Sequence, residues 1–225
     1  MKIWKLIFLL LILSACNSGQ KKESQQTQEK QDATLPAKSQ DMTQDGASLF
    51  DGKTLDGWEI TSFGTEGPVL VSEGNIVLNF GDGCTGVTYT KPFPKVDYEV
   101  SLDAMKVSGN DFFCGMTFPV KDTYCSFIVG GWGGPVVGLS TIDGKDGSEN
   151  STKILMNFEH KTWYHIRLQV TDAKIMAWID DKQVIDFTID DHTIDIRPEV
   201  NLSRPFGICS WNTTAALRNI WLKKL

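Results

Sequence analysis

The stretch TWYHIRLQVTDAKIMAWIDDKQVID, residues 162–186, decides the fold class of this chain. It contains two runs in which apolar and polar side chains alternate, residues 163–170 and 175–180, separated by the turn-like residues 171–174. Alternation with a period of two is typical of β-strands that bury one face, so the stretch predicts an antiparallel hairpin. Residues 184–187 add a third short strand and extend the hairpin to a meander. The side chains predicted to enter the core are Tyr164, Ile166, Leu168, Ile175, Ala177 and Ile179.

The same alternation recurs through the chain after residue 48. The further strands are predicted over DYEVSLDAM (97–105), DFFCGMTF (111–118), YCSFIV (124–129), PFGICSW (205–211) and LRNIWLKKL (217–225). No stretch beyond the first fifteen residues has a helical period of useful length. About a dozen strands without helices exceed what one open sheet can hold. We therefore predict an all-β protein, a two-sheet antiparallel jelly-roll sandwich.

The first 47 residues have the composition of an export signal and a tether. A positively charged start precedes a short apolar run, residues 6–13, and small residues follow it, which predicts a signal peptide over residues 1–15. The sequence LSAC, ending at Cys16, resembles the lipobox of bacterial lipoproteins. That resemblance implies an acylated Cys16 as the mature N-terminus, with a plain secretory signal as the alternative. Residues 16–47 are polar and predict a disordered tether, so we expect a lipid-anchored protein of the bacterial cell envelope, facing the periplasm or the cell surface.

Charge and cysteine content limit the possible partners and covalent links. A net charge of -6 without a basic stripe excludes a nucleic-acid binder. Four cysteines follow Cys16, and an even number in an exported chain leaves disulfides open. Cys114 and Cys125 could pair across a hairpin that turns at residues 119–122. The alternative is that they are buried free thiols, as we expect for Cys84 and Cys209.

The opening of the globular domain carries a distinctive string. In LFDGKTLDGW, residues 49–58, the turn pairs Asp-Gly separate apolar anchors, and we expect Phe50 and Trp58 to close one end of the sandwich. The string resembles the opening of the 3-keto-disaccharide hydrolase domain family, whose fold is similar to concanavalin A-like lectins and glucanases. WNTTAALRNIWLKKL, residues 211–225, is similar to the final strand of that family. The resemblance covers residues 48–225 and implies one sandwich domain.

The resemblance also implies a reaction. A base removes the C2 proton of a sugar oxidised at C3, the aglycone leaves from C1, and water then adds back. The chain departs from the family pattern at two places: CSFIVGGWGG (125–134) contains no acid, and SRPFGICSWNTT (203–214) replaces polar and histidine residues. An ordinary retaining glycosidase, which needs two carboxylates about 5–5.5 Å apart, is disfavoured. The nearest such pair on one strand face, Glu99 and Asp103, is separated by roughly 13 Å.

Candidate site residues follow from strand faces and strand ends. His165 and Arg167 lie on the polar face of their strand, as do Glu99 and Asp103 on theirs, and each could supply a base or a donor. Asp111 precedes one strand of a predicted hairpin and Trp132 follows the other, so antiparallel pairing places both at one edge, with Asp111 as a further catalytic candidate. The predicted catalytic residues are His165, Arg167 and Asp111, and the predicted substrate-binding residues are Trp132, Arg204, Trp211 and Asn212.

Metal binding and catalysis both stay open on the sequence. The loop DGKDGSEN presents Asp143, Asp146 and Glu149, a weak candidate for a divalent cation because its spacing is not that of an EF-hand. No cofactor is predicted. The expected partner is a carbohydrate, with the membrane contacted through the lipid anchor. Two functions fit the sequence. A concave cleft that contains a base would favour an enzyme acting on 3-keto-glycosides. A shallow aromatic platform without a base would favour a non-catalytic carbohydrate-binding or cell-surface module.

Overall fold

The computed structural model describes residues 46–225, which form two stacked antiparallel sheets. The predicted all-β jelly-roll sandwich is confirmed. The predicted signal peptide, Cys16 and nearly all of the tether lie outside the described residues.

The back sheet has the order β13 (Lys182–Thr188), β12 (Lys174–Ile179), β11 (Trp163–Val170), β6 (Tyr98–Gly109), β15 (Thr213–Lys224), β4 (Asn75–Leu78) and β3 (Val69–Ser72), with β1 (Ala47–Ser48) beside β15. The front sheet has the order β10 (Ile154–Leu155), β9 (Val136–Ser140), β8 (Thr123–Gly131), β7 (Cys114–Val120), β14 (Phe206–Trp211), β5 (Cys84–Tyr89) and β2 (Trp58–Ile60).

The predicted meander forms one edge of the back sheet. Strands β11, β12 and β13 pair in sequence, with Leu168 opposite Ala177 and Ile166 opposite Ile179. The turn closes through the N–H of Thr171, which donates to the carbonyl of Lys174 at 2.9 Å. All six side chains predicted for the core are buried, because every second residue of β11 and β12 faces the front sheet. The period-two pattern was therefore sufficient to predict both the pairing of β11 with β12 and the face of each strand that enters the core.

The opening loop closes one end of the sandwich, as predicted for Phe50 and Trp58. Both side chains are buried, and the indole N–H of Trp58 donates to the carbonyl of Leu49 at 2.7 Å. The Trp58 ring lies 5.9 Å from Phe206 and 5.1 Å from Tyr89, ring centroid to centroid. The polar atom of a buried indole is thus satisfied while its rings pack on aromatic neighbours.

The hypothesis of a Cys114–Cys125 disulfide is wrong. In the β7–β8 hairpin Cys114 pairs with Val129, and Cys125 pairs with Phe118, so the two cysteines lie four positions apart along the ladder. The hairpin turns at Lys121 and Asp122, which sets this register. Cys84, Cys114, Cys125 and Cys209 are all free and buried. Burial raises the pKa of the Cys125 thiol to about 12, so it stays protonated at neutral pH.

The core face of the front sheet carries large residues, while several positions on its outer face are small. Met116, Phe127 and Leu139 point into the core. Their neighbours in sequence point outward and are small: Gly115, Ser126, Gly138 and Ser140. A segment that we name the crossing segment, residues 194–203, lies on this outer face and ends in the 3-10 helix Pro198–Ser203. Small residues are required where it contacts the strands, since a Cβ on Gly207 would lie 2.6 Å from the carbonyl oxygen of Ser203.

Candidate functional site

A cleft of about 200 Å³ lies on the outer face of the front sheet, between the crossing segment and one end of the strands. We name it the front cleft. Its floor is made by outward residues of β5, β8 and β9 together with Phe112 and Val200. Its walls include Asp111 before β7, Trp132 after β8 and Trp211 at the end of β14. The lining residues are Cys84, Asp111, Phe112, Ser126, Ile128, Trp132, Ser140, Arg197, Glu199, Val200 and Trp211.

Antiparallel pairing brings the walls of the front cleft together. β7 begins, β8 ends and β14 ends on the same side of the front sheet, so the residues at these strand ends are neighbours. The N–H of Trp211 donates to the carbonyl of Phe112 at 3.0 Å, and the two rings lie 6.5 Å apart, centroid to centroid. The structure thus brings together Asp111, Trp132 and Trp211 of the predicted site residues. Their part in binding or catalysis stays a prediction.

Asp111 holds the turn that carries Trp132. One carboxylate oxygen accepts the N–H of Phe112 at 2.8 Å and that of Trp132 at 3.1 Å, and the other accepts the N–H of Gly133 at 3.1 Å. Trp132 has a φ of +50°, a left-handed conformation that is costly for a large side chain. Three backbone bonds to one carboxylate offset that cost. These bonds show Asp111 positioning the turn, and the catalytic role predicted for it stays a prediction.

The indole of Trp132 is fixed from the side of the loop at residues 143–150. A Cβ on Gly147 would lie 3.2 Å from the Cη2 atom of Trp132, so the ring packs directly on the backbone of that glycine. Trp132 stays 37% exposed and lines the front cleft. A rigid indole with a free surface is suited to contact with the C–H face of a sugar or with another ring.

Arg197 and Glu199, which sequence reasoning missed, supply the charge of the front cleft. A guanidinium nitrogen of Arg197 donates to the Glu199 carboxylate at 2.8 Å, and another donates to Asp146 at 3.1 Å. The hydrogen bond from Arg197 lowers the pKa of the Glu199 carboxyl, so Glu199 is ionised at neutral pH. The local sequence shows only a basic and an acidic residue on either side of Pro198. Nothing in it indicates that this segment lies across the front sheet.

Two serines lie on the floor of the front cleft and differ in their hydrogen bonding. The Ser126 hydroxyl bonds to the Thr117 hydroxyl at 3.0 Å. The Ser140 hydroxyl has no partner, although Ser140 is only 1% exposed. A buried hydroxyl without a partner carries a desolvation cost that a ligand atom could remove.

Arg204 and Asn212 do not line the front cleft, which corrects their predicted place in it. Arg204 follows the 3-10 helix; its Nε donates to the carbonyl of Asn201 at 3.0 Å, and its guanidinium lies 5.5 Å from the Tyr124 ring. Asn212 forms the turn between β14 and β15 with a φ of +43°. The prediction relied on the closeness of Arg204 and Asn212 in sequence to Pro205 and Trp211. It failed because consecutive residues of a strand or turn point in different directions.

His165 and Arg167 lie on the outer face of the back sheet and do not line the front cleft, which corrects their predicted place beside Asp111 and Trp132. Their catalytic role stays a prediction. His165 Nδ1 bonds to Asp103 at 2.9 Å, and Asp103 also accepts from Arg218 and Asn219. Arg167 lies 3.9 Å above the Trp178 ring and donates to Glu99 at 3.1 Å. These groups satisfy one another on the surface of the back sheet.

The His165–Asp103 pair predicts a pH-dependent part of the stability. The hydrogen bond to Asp103 raises the pKa of His165, so the contribution is full below about pH 6.5, the pKa of an unfolded histidine, and is lost as the pH rises through the folded value. We expect His165→Gln to lower the free energy of unfolding at pH 5.5 and to matter less at pH 9. The effect stays below ~1 kcal/mol because solvent screens a partly exposed pair. Urea titrations at both pH values measure it, and a difference that grows with pH would contradict the assignment.

The carboxylates of the acidic loop at residues 143–150 are engaged by neighbouring groups of the chain. The two oxygens of Asp143 accept from His192 and from the N–H of Thr193, and Asp146 accepts from Ser148 and Arg197. Within residues 46–225 no group of three histidine, cysteine or acidic side chains is arranged to hold a metal ion. The weak prediction for Asp143, Asp146 and Glu149 is therefore not supported by the arrangement of the loop.

Comparison with known proteins gives one family match and a set of similar folds. The model of the family described as 3-keto-alpha-glucoside-1,2-lyase-like domain matches residues 45–223. No curated protein matches the chain significantly. A carbohydrate-binding module from Bacillus subtilis is similar with a TM-score of 0.50 at 15% identity, over 75% of this chain and 96% of that module.

Two further solved structures have the same architecture. The Crh5 transglycosylase in complex with NAG has a TM-score of 0.56 at 13% identity, over 80% of this chain and 83% of its own. The exoplasmic/lumenal domain of VIP36, in a form bound to Ca²⁺ and Man3GlcNAc, has a TM-score of 0.54 at 12% identity, over 79% of this chain and 88% of its own. At such identities the likeness shows the fold alone.

Proposed function

We propose that this chain, which belongs to the family of 3-keto-alpha-glucoside-1,2-lyase-like domains, binds a glycoside oxidised at C3 in the front cleft and eliminates its aglycone. The observation that supports this most is the placement of Glu199 and Arg197, 2.8 Å apart, in the same cleft as Trp132 and Trp211. A carboxylate, a fixed positive charge and aromatic surfaces are the groups that such an elimination needs.

The chemistry assigns a part to each charged group. The C3 ketone acidifies the C2 proton, because the resulting carbanion is delocalised as an enolate. Glu199 accepts that proton, and Arg197 lies where positive charge stabilises the enolate oxygen. The electron pair then forms the C1–C2 double bond while the C1–O bond breaks. The leaving oxygen receives a proton from Glu199 and departs as an alcohol or phenol, and water added across the double bond gives the free 3-keto sugar.

The test of this function is direct. The purified protein is incubated with 3-keto-glucosides of either anomeric configuration, and both the released aglycone and the conjugated enone absorbance are followed. Stoichiometric appearance of aglycone with catalytic amounts of protein supports the proposal. Saturable binding without aglycone release sinks it.

A non-catalytic carbohydrate-binding role is the second candidate. It is favoured by one observation: the β8 residues that face the front cleft are Ser126 and Ile128, so this strand offers no acid to a ligand. The likeness in fold to a carbohydrate-binding module agrees with either role. Binding of unoxidised and oxidised sugars with equal affinity, and turnover of neither, would decide for the binding module.

Both roles predict that Trp132 carries ligand affinity. We expect Trp132→Ala to weaken binding at least tenfold, because the exposed indole surface is the main rigid contact of the cleft wall. Arg204→Ala is the control, since Arg204 lies outside the cleft and its loss should leave affinity unchanged. Calorimetric titration of both variants measures this. Equal loss in the two variants would place the ligand elsewhere.

The lipid anchor is a separate proposal, supported by the residues around Cys16 alone. No helix within residues 46–225 is long and apolar enough to span a bilayer. We expect Cys16→Ser to move the protein from the membrane fraction to the soluble fraction, since several acyl chains on one residue are needed for durable anchoring. Fractionation of cells expressing each form measures it. A variant that stays with the membranes would contradict the anchor.

A further inference from the structure

The floor of the front cleft is more apolar than a sugar requires. Cys84, Ile128 and Val200 are all less than 10% exposed and present carbon or sulfur to the cleft. Phe112 lies on the same floor, packed on the position where Gly115 has no Cβ. A pyranose ring placed there would leave most of its hydroxyl groups desolvated and unpaired, which costs more than its burial returns.

The polar groups of the cleft are unevenly distributed. Arg197 and Glu199 are exposed at the mouth. Of the polar groups deeper in the cleft, Asp111 is committed to three backbone N–H groups and Ser126 to Thr117. Among residues 46–225, only the Ser140 hydroxyl is buried, unpartnered and on the lining. On the described floor, Ser140 therefore offers a ligand an unpartnered hydroxyl in largely apolar surroundings.

On the footing of the proposed function, we propose that this floor is an aglycone subsite for a planar aromatic ring bearing one hydrogen-bonding substituent, which bonds to Ser140. The sugar then lies at the mouth, beside Arg197 and Glu199, where its C2 proton meets the carboxylate. Trp132 and Trp211 flank the ring. The preferred substrates are 3-keto-glycosides of phenols, and a phenol is also a good leaving group for the elimination.

The first experiment needs no variant of the floor. Calorimetric titrations compare phenyl, 4-hydroxyphenyl and methyl glucosides of one anomeric configuration, together with free phenol and hydroquinone. The same titrations with the 3-keto-glucosides use Glu199→Gln, so that the ligand persists. We expect the aryl ligands to bind roughly tenfold or more tightly than the methyl ones, since an aromatic ring buries a large apolar area against aromatic side chains. Equal affinity for methyl and aryl ligands, or no binding of any aryl ligand, overturns the proposal.

The second experiment addresses Ser140. In Ser140→Ala we expect the preference for 4-hydroxyphenyl over phenyl ligands to fall by about five- to tenfold, while phenyl binding is retained or improved. Ser203→Ala is the matched control, because the Ser203 hydroxyl is also buried and unpartnered but does not line the cleft. An unchanged substituent preference in Ser140→Ala, or the same change in Ser203→Ala, overturns the assignment of Ser140.

The two proposals fail separately. Turnover of 3-keto-glycosides without an aryl preference would contradict the proposed aglycone subsite but not the proposed elimination. An aryl preference without turnover would contradict the proposed elimination and would support an aromatic subsite in a binding protein.

Discussion

Glu199→Gln is expected to lower the rate of aglycone elimination by roughly 10²- to 10⁴-fold, the usual contribution of a positioned general base. Glutamine keeps the shape of the side chain but cannot accept the C2 proton. Its carbonyl oxygen still accepts a hydrogen bond from Arg197, which now donates to the carboxylate at 2.8 Å. Ligand affinity should therefore change much less than turnover, and kcat and KM should separate.

Glu59→Gln is the control for this variant. Glu59 lies on β2, is exposed and does not line the front cleft, so its replacement removes a carboxylate of the same kind without touching the site. Steady-state rates of aglycone release are compared at pH 7 for the two variants and the unmodified protein. Retention of more than a tenth of the activity in Glu199→Gln would exclude Glu199 as the base.

The parts of the fold that are local in sequence were predictable. Alternation in residues 162–186 predicted the pairing of β11 with β12, and the core face of both strands was confirmed. Asp111 and Trp132 were placed at one edge because a hairpin fixes the distance between its two ends. These predictions needed only period, turn position and antiparallel pairing.

The parts that depend on long-range contact were not predictable. The crossing segment reaches the front sheet through bonds such as that from Thr141 N–H to the Asp195 carbonyl at 2.7 Å, between residues 54 positions apart. No local pattern specifies that contact, so Arg197 and Glu199 were missed. His165 and Arg167 were grouped with the cleft because alternation shows which side chains point away from the core but not which of the two sheets carries them. The cysteine pairing failed because a short shift in turn position changes the register.

The small residues of β7, β8 and β9 were a signal that could have been used. A strand of a sandwich with a solvent-facing side usually carries long polar side chains there. Gly115, Ser126, Gly138 and Ser140 instead alternate with large core residues, which indicates that something packs on the outer face. In this protein the crossing segment covers part of the outer face of the front sheet. The part that it leaves uncovered forms the front cleft.

Asp111→Ala is expected to lower the free energy of unfolding by about 2–4 kcal/mol and to abolish measurable ligand binding. The variant loses three hydrogen bonds to one carboxylate and leaves the N–H groups of Trp132 and Gly133 without acceptors. Without them the φ of +50° at Trp132 has no compensation, and the turn is expected to relax and to take the indole away from Gly147. Thermal and urea unfolding measure the first effect, and titration of the folded variant measures the second.

Two comparisons separate positioning from catalysis at Asp111. Asp111→Asn keeps one oxygen that can accept from Phe112 and Trp132 but turns an amide N–H₂ toward Gly133, so binding should recover in part. Asp51→Ala removes a carboxylate that also accepts two backbone N–H groups, in a turn far along the chain from the cleft, and should leave binding unchanged. If Asp111 were instead the proton acceptor, Asp111→Asn would bind ligand fully and turn over none. Because an amide cannot act as a base but can hold a turn, partial recovery of both binding and turnover in that variant is the result that positioning requires.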